Sequence, residues 1–363
     1  MPSPSRLRGP IDPSSGNRPS SEAAMGARFR GCLLGGACGD ALGAPVEFMA
    51  RSEILQGFGP DGITTFAPAF GRRGGITDDT QMTLFTAEGL LRGAASGDRG
   101  RNHHAELLRS VAQAYLRWLR TQGEMNLEGL DEELVDGLAI LPELNARRGP
   151  GRTCLSALHA MRVLGAPARN DSKGCGGVMR MAPAGLFAAG RAVSMTPAAT
   201  FRLGCDLAAL THGHPSGALP AGALAVLVRG LVRGESLDDA LQATKGCLRR
   251  APRHEETLSA ILRAEDLAAS GEPPETAIAM LGGGWVAEEA LAIALYCALT
   301  ARDFGDGVWI AVNHDGDSDS TGAIAGNILG ALWGEGAIPK DWLAELEARE
   351  VITAMAEELL TGA

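Results

Sequence analysis

Apolar residues recur at helical spacing along most of this chain. Leu107, Leu108, Val111, Tyr115, Trp118 and Leu119 share one face at i, i+4, i+8 and i+11, which predicts an amphipathic helix. Similar periodicity predicts helices over roughly 79–92, 153–164, 199–210, 216–232, 238–249, 255–269, 286–300, 304–313, 320–333 and 340–360, parted by turns carrying Gly, Pro or Asn. No alternating run predicts a sheet, and no repeat of about 20–50 residues marks a solenoid. Nor does a Pro/Ser linker divide the chain after residue 25. The reading is one all-α domain, residues 25–363. Within its first helix Gly31, Gly35, Gly39 and Gly43 recur every fourth residue, a stripe without side chains on which a second helix can pack closely. Such a stripe predicts a central, buried helix.

Composition narrows this picture. Aromatic residues make up 4% of the 363 residues while glycine reaches 49, which disfavours β-sandwiches and barrels. The net charge of -10 comes without any Lys/Arg run, so neither nucleic acid nor an anionic membrane surface is an expected partner. Seven scattered cysteines form no CxxC pair; they read as reduced residues of a cytoplasmic protein. Residues 1–24 are rich in Ser and Pro, carry Arg6, Arg8 and Arg18, and lack the apolar stretch of a signal peptide. A disordered tail is expected there. Gly31 to Phe48 is mostly apolar, but Asp40 and Glu47 would be costly in hydrocarbon, so no membrane span is expected.

Three segments concentrate carboxylates. The first is Gly39-Asp40-Ala41-Leu42-Gly43-Ala44-Pro45-Val46-Glu47-Phe48, in which Pro45 ends the striped helix and leaves Glu47 just beyond it. In the second, Gly74-Gly75-Ile76-Thr77-Asp78-Asp79-Thr80, a helix N-cap would explain one hydroxyl or acid, and the cluster holds more than capping requires. The third, His314-Asp315-Gly316-Asp317-Ser318-Asp319-Ser320-Thr321-Gly322, precedes another apolar helix. It is not an EF-hand: counting from Asp315, Ser320 stands where glycine is required and Gly326 where the bidentate glutamate belongs. A solvated cap remains open for it. So does a cluster of hard oxygen donors suited to Mg²⁺ or Mn²⁺ and not to zinc. If Glu47, Asp78, Asp79, Asp317 and Asp319 met in a buried site, their mutual repulsion would call for cations.

Two further segments have the character of ligand loops. Ser172-Lys173-Gly174-Cys175-Gly176-Gly177-Val178-Met179-Arg180 lets backbone N–H groups approach an anion at the entrance to a helix expected from Met179. It fails the Rossmann pattern, since Met179 stands where the last glycine would be. Thr211-His212-Gly213-His214-Pro215 closes one helix and opens the next, its histidines serving as ligands or as caps.

Taken in order and spacing, Gly39-Asp40-Ala41-Leu42-Gly43 with Pro45 and Glu47, Thr77-Asp78-Asp79-Thr80, Lys173-Gly174-Cys175-Gly176 with Met179-Arg180, Thr211-His212 and Gly316-Asp317-Ser318-Asp319-Ser320 resemble the ADP-ribosylglycohydrolase family over about residues 27–335. The resemblance implies a single-domain orthogonal helical bundle with two divalent cations, Mg²⁺ or Mn²⁺, at the bottom of a cleft. By position, Thr77, Asp78, Asp79, Asp317, Asp319 and Ser320 would be the metal ligands, with Ser320 replacing the family's usual threonine. Gly174, Cys175, Gly176, Gly177, Val178 and Met179 would cradle the diphosphate and proximal ribose, with His212 beside them and Gly151 and Thr153 on another loop of the cleft.

The implied activity is metal-dependent removal of ADP-ribose from modified proteins, arginine-linked conjugates above all. Asp78 or Asp79 would serve as the base, and Glu47 as the acid that protonates the leaving group. Alternatives are a catalytically silent ADP-ribose-binding or structural relative and a hydrolase of serine-linked or small-molecule ADP-ribose derivatives. The presence of all five carboxylates favours an active enzyme. Some members of the family act as immunity proteins against ADP-ribosylating toxins. In that setting residues 1–24 would be an arm that docks on a cognate ADP-ribosyltransferase.

Overall fold

The computed structural model describes residues 21–96, 103–131, 134 and 136–362. The chain enters through α1 (Ser21–Gly43) and α2 (Arg51–Phe58), then turns through the short strands β1 (Pro68–Ala69) and β2 (Arg72–Arg73). Helices α3 (Asp78–Ala95), α4 (His103–Thr121), α5 (Arg152–His159), α6 (Ala182–Ala189), α7 (Pro197–Ala209) and α8 (Pro215–Val232) follow. The remainder comprises α9 (Leu237–Leu248), α10 (Glu255–Ser270), α11 (Pro274–Leu281), α12 (Ala287–Thr300), α13 (Phe304–Val312), α14 (Ser318–Trp333), α15 (Lys340–Glu345) and α16 (Arg349–Thr361). The architecture is all-α. The two strands pair antiparallel, Pro68 opposite Arg73, and form the only sheet among the described residues.

The glycine stripe of α1 lies against α14, which carries a matching stripe running the opposite way. A Cβ on Gly31, Gly35 or Gly39 would come within 2.5, 2.4 or 1.9 Å of the carbonyl oxygens of Gly330, Gly326 and Gly322, and one on Gly43 within 2.3 Å of that of Ser318. The two backbones therefore touch, and no other residue type fits the seam. From Gly31 to Gly43 every residue of α1 is buried, which agrees with the expected central helix. The seam also fixes the site, because it sets the N-terminus of α14 beside the C-terminus of α1. Helix α8 is long and apolar enough to cross a membrane, with a mean hydropathy of 1.4, but 83% of it is buried inside the bundle.

Several expected boundaries move, each for a local reason. Helix α1 starts at Ser21, so residues 21–24 are helical; the rest of the expected tail, 1–20, lies outside the described residues. The segment expected to be helical over 153–164 ends at His159, because the Asn126 side-chain amide donates to the carbonyls of Leu158 and Met161 at 2.7 and 2.9 Å and terminates it from outside. A helix from Met179 does not form. Pro183 has no N–H to give the Met179 carbonyl, so α6 begins at Ala182, with Pro183 in its first turn where the missing donor costs nothing. The helix expected over 340–360 is cut into α15 and α16 at Ala348, whose φ of 54° is left-handed. The break turns Glu347 inward, where its carboxylate accepts from Ile76 N and pairs with Arg148 at 3.0 and 2.8 Å. Helices α2 and α11 carried too weak a periodic signal to be expected.

Candidate active site

A cavity of about 360 Å³ opens where α1, α3 and α14 converge. Its acidic lining comes from Glu47, Asp78, Asp79, Asp317, Asp319 and Ser320, and the rest of its lining includes Gly149 to Cys154, Gly174 to Gly176, Met179 and His212. Thr77 caps α3, its hydroxyl accepting from Asp79 N at 3.1 Å and standing 3.5 Å from the Asp79 carboxylate. The three acidic segments, far apart in sequence, thus meet at three helix ends.

Asp40, in the last turn of α1, holds this junction together. It is fully buried, and its carboxylate accepts from the backbone N–H groups of Thr77 and Thr80 at 3.0 and 3.1 Å and from the Thr80 hydroxyl. It thereby supplies the counter-charge at the N-terminus of α3. Burial raises its pKa to about 6, opposed by these hydrogen bonds. Asp78 N donates to the Arg148 carbonyl at 2.9 Å, and the Asp78 carboxylate accepts from Gly151 N at 3.0 Å. Since Arg148 is paired with Glu347, the helix interruption before α16 steadies the loop that touches Asp78.

Single carboxylate oxygens of Glu47, Asp317 and Asp319 all lie within 4.8 Å of one another. Burial first, then repulsion by Asp317, Asp78 and Asp40, raises Glu47 to about 8. Asp78 also rises to about 8, chiefly by burial, although the Gly151 N–H bond opposes it. Asp79 and Asp319 are held well above the ordinary carboxylate range by burial and by their acidic neighbours. Asp79 Oδ1 is buried with no hydrogen-bond partner among the described residues. A buried acceptor left unpaired inside a group of like-charged acids is costly. Divalent cations bound by these oxygens would remove both penalties, so the donor set fits Mg²⁺ or Mn²⁺. Ser320 stands in the same cluster, its hydroxyl 3.6 Å from the Cys175 thiol, which in turn donates to Asp317 at 2.8 Å.

Cys175 to Gly177 form a short 3₁₀ turn, and the Cys175 carbonyl accepts from Val178 N and Met179 N at 2.9 and 3.1 Å. Gly174, Cys175, Gly176 and Met179 line the cavity. Gly177 and Val178 lie behind it, Gly177 close to the Gly217 carbonyl and Val178 fully buried. Gly151 and Thr153 line it from the loop before α5. The two histidines divide: His212 faces the cavity, while His214 caps α8 by accepting from Ser216 N at 3.0 Å.

Two features were not singled out from sequence. Phe48 and Trp285 stack at the mouth, ring centroids 5.6 Å apart and planes 17° from parallel, with Phe48 80% exposed. Neither belongs to a periodic pattern, and an exposed aromatic directly after Glu47 was the signal available. The other is Asp40, which was visible in the first acidic segment, although its bonds to Thr77 and Thr80 could not be read from spacing.

Residues 21–363 match the family model described as ADP-ribosylglycohydrolase. The chain is 30% identical to an uncharacterized protein of Archaeoglobus fulgidus, covering 92% of this chain and 96% of that one. It is 26% identical to an ADP-ribosyl-[dinitrogen reductase] glycohydrolase of Rhodospirillum rubrum, covering 89% and 91%. Identity to the ADP-ribosylarginine hydrolase Tri1 of Pseudomonas putida is 25%, over 93% and 78%. Among solved structures, an ADP-ribosylglycohydrolase-related protein complex superimposes with a TM-score of 0.62 at 28% identity, covering 93% of this chain and 98% of that one. With its helical fold and acid-lined cleft, this protein belongs to the ADP-ribosylglycohydrolase family.

Proposed function

We propose that this protein hydrolyses the glycosidic bond joining ADP-ribose to a protein side chain, with arginine the preferred attachment. The observation that carries the reading is the unpartnered Asp79 Oδ1 within a ring of buried acids that opens on a cavity walled by glycine-rich backbone. Thr77, Asp78, Asp79, Asp317, Asp319 and Ser320 would hold two divalent cations, Mg²⁺ or Mn²⁺. Such cations, when bound, supply Lewis-acid contacts to the distal ribose hydroxyls and neutralise the ring.

The chain's own groups account for the rest of the chemistry. The glycine-rich turn at Gly174–Gly176 would lie along the diphosphate, with Gly174 N and Cys175 N already donating to Ser172 Oγ and the Trp285 carbonyl at 3.3 and 3.2 Å. Water attacks the anomeric carbon as the bond to the guanidine nitrogen breaks, and its proton passes to Asp78 or Asp79. Glu47, at the mouth of the ring, gives a proton to the departing nitrogen. The arginine preference is supported by the name of the Pseudomonas relative and by the Phe48–Trp285 pair beside Glu47. Aromatic faces next to a carboxylate suit a planar cation. Incubation with arginine- and serine-ADP-ribosylated proteins, with and without EDTA, tests the reading. Release of ADP-ribose from arginine that EDTA stops and Mn²⁺ restores is expected; activity surviving chelation, or faster release from serine, overturns it.

A further inference from the structure

Arg180 is fully buried beneath the cavity floor, and among the described residues no carboxylate pairs with it. Its guanidinium lies over the Tyr115 ring at 4.5 Å and donates to the Tyr115 hydroxyl at 2.9 Å. It donates also to Cys154 Sγ at 3.2 Å and to Thr211 Oγ1 at 2.6 Å. Guanidinium groups only donate. Thr211 must therefore accept from Arg180 and send its single hydroxyl hydrogen elsewhere.

Two acceptors are within range of that hydrogen: His212 Nδ1 at 2.8 Å and the Ala208 carbonyl at 3.4 Å. The carbonyl already accepts from Thr211 N and His212 N at 3.1 and 3.0 Å, which occupies both of its lone pairs. The hydrogen goes to Nδ1. A neutral imidazole that accepts at Nδ1 carries its own hydrogen on Nε2. Burial and the Arg180 charge keep the ring neutral by lowering its pKa to about 3. Nε2 has no partner among the described residues, and it lies against the ligand loop, 3.3 Å from where a Cβ on Gly174 would stand.

We propose that Arg180 and Thr211 are positioning residues that fix the tautomer of His212 and present its Nε2–H to a phosphoryl oxygen of the bound diphosphate. The proposal rests on the glycohydrolase reading for the identity of the ligand, but not for the tautomer. An uncharged N–H donor is suited to a substrate that must leave again, because it binds the anion less tightly than an imidazolium would.

The test is ¹⁵N NMR of the histidine rings in the ligand-free protein, together with calorimetric binding of ADP-ribose in the presence of Mn²⁺. The wild-type His212 is expected to show one neutral form, protonated at Nε2. Thr211→Val, close in shape but without the hydroxyl, should give mixed tautomer signals and bind ADP-ribose roughly 3- to 10-fold more weakly. Thr211→Ser should restore both. A wild-type ring protonated at Nδ1 overturns the proposal, as does a folded Val variant with unchanged signals and affinity. If the Val variant does not fold, the wild-type spectrum still decides. Failure of the wild-type protein to bind ADP-ribose would count against the glycohydrolase reading, whereas the tautomer signals would still judge the relay.

Discussion

Helices α1 and α14 form two very different regions with the same pair of backbones. Along their length they meet through glycine, backbone on backbone, and the Asn327 side chain enters the seam to donate its amide to the Cys32 carbonyl at 2.8 Å. At the end where α14 begins and α1 stops, the two helix ends and the residues flanking them bring Asp317, Asp319, Asp40 and Glu47 into a cluster of like charge. The seam is complete in itself. The acid ring is not, as Asp79 Oδ1 and the raised carboxyl groups show. The difference teaches where the fold's stability resides and where its chemistry does: a seam that tolerates nothing larger than hydrogen holds in register a cluster that, without cations, opposes folding.

The largest effect is expected in the seam. Gly39→Ala would bring a methyl group to 1.9 Å from the Gly322 carbonyl oxygen, forcing the helices apart. Helix propensity alone would favour alanine by about 1 kcal/mol, so the expected net loss of roughly 3 kcal/mol is attributable to the contact. Denaturant unfolding measures it. The loss should be at least as large with Mn²⁺ as without it; a loss that disappears when Mn²⁺ is added would erase the distinction between the two regions.

Substitutions in the ring should behave in the opposite sense. Asp317→Ala or Asp78→Ala is expected to lower turnover by roughly 100-fold or more with the helical circular dichroism retained. Asp79→Asn removes a like charge and can set an amide N–H donor among the neighbouring carboxyl oxygens, so the metal-free protein should melt about 2 °C higher while activity is lost. Differential scanning calorimetry beside a turnover assay decides this. A ring variant that destabilises the metal-free protein as much as Gly39→Ala would show that the acids are structural.

These two regions also mark what was legible in the sequence. A four-residue glycine repeat carries its meaning locally, since helical spacing alone puts Gly31, Gly35, Gly39 and Gly43 on one face. The acidic segments carried theirs in clusters too dense for capping, and the resemblance to a known family supplied roles that spacing could not. Hidden from sequence were partners distant along the chain. Asn126 ends α5, Glu347 breaks the last helix to reach Arg148, and Arg180 reaches His212 only through Thr211. Each is a single polar side chain acting on another element's backbone or side chain, and no periodic pattern records it.

A smaller effect separates the regions by pH. In the unfolded chain the ring carboxyl groups ionise near their ordinary values of 3.8 and 4.5, whereas in the folded metal-free protein Asp78 and Glu47 do so near 8. Between these values the folded state keeps protons that the unfolded state has released, so their contribution to stability is fully present below about pH 4 and is lost as pH rises through 8. The melting temperature of EDTA-treated protein should fall from pH 5.5 to pH 8, and Mn²⁺ should raise it more at pH 8 than at pH 5.5. Asp79→Asn should flatten this dependence, and Gly39→Ala should leave its slope unchanged. A melting temperature that climbs over the window, or an equal response to Mn²⁺ at both ends, would contradict the assignment of strain to the ring.

The smallest expected effect concerns the mouth of the cavity, where Phe48 and Trp285 stack beside the ring without belonging to it. Phe48 is 80% exposed, so shortening it takes little from the core, and any change in turnover reports on what the pair meets. If it meets the cationic guanidinium of a modified arginine, Phe48→Ala should raise KM for arginine-linked conjugates by about 2- to 5-fold, the size of an exposed cation–π contact. The kcat should remain within the scatter of the assay, because Glu47 and the acids are untouched. Phe48→Tyr keeps the ring face and should keep KM; Phe48→Leu keeps the bulk alone and should behave like alanine. Serine-linked conjugates, which leave as a neutral hydroxyl, should show no change in KM with any of the three. An equal rise for both linkages would assign the pair to the ADP-ribose portion common to them, and a fall in kcat would mean that Phe48 holds Glu47 in place.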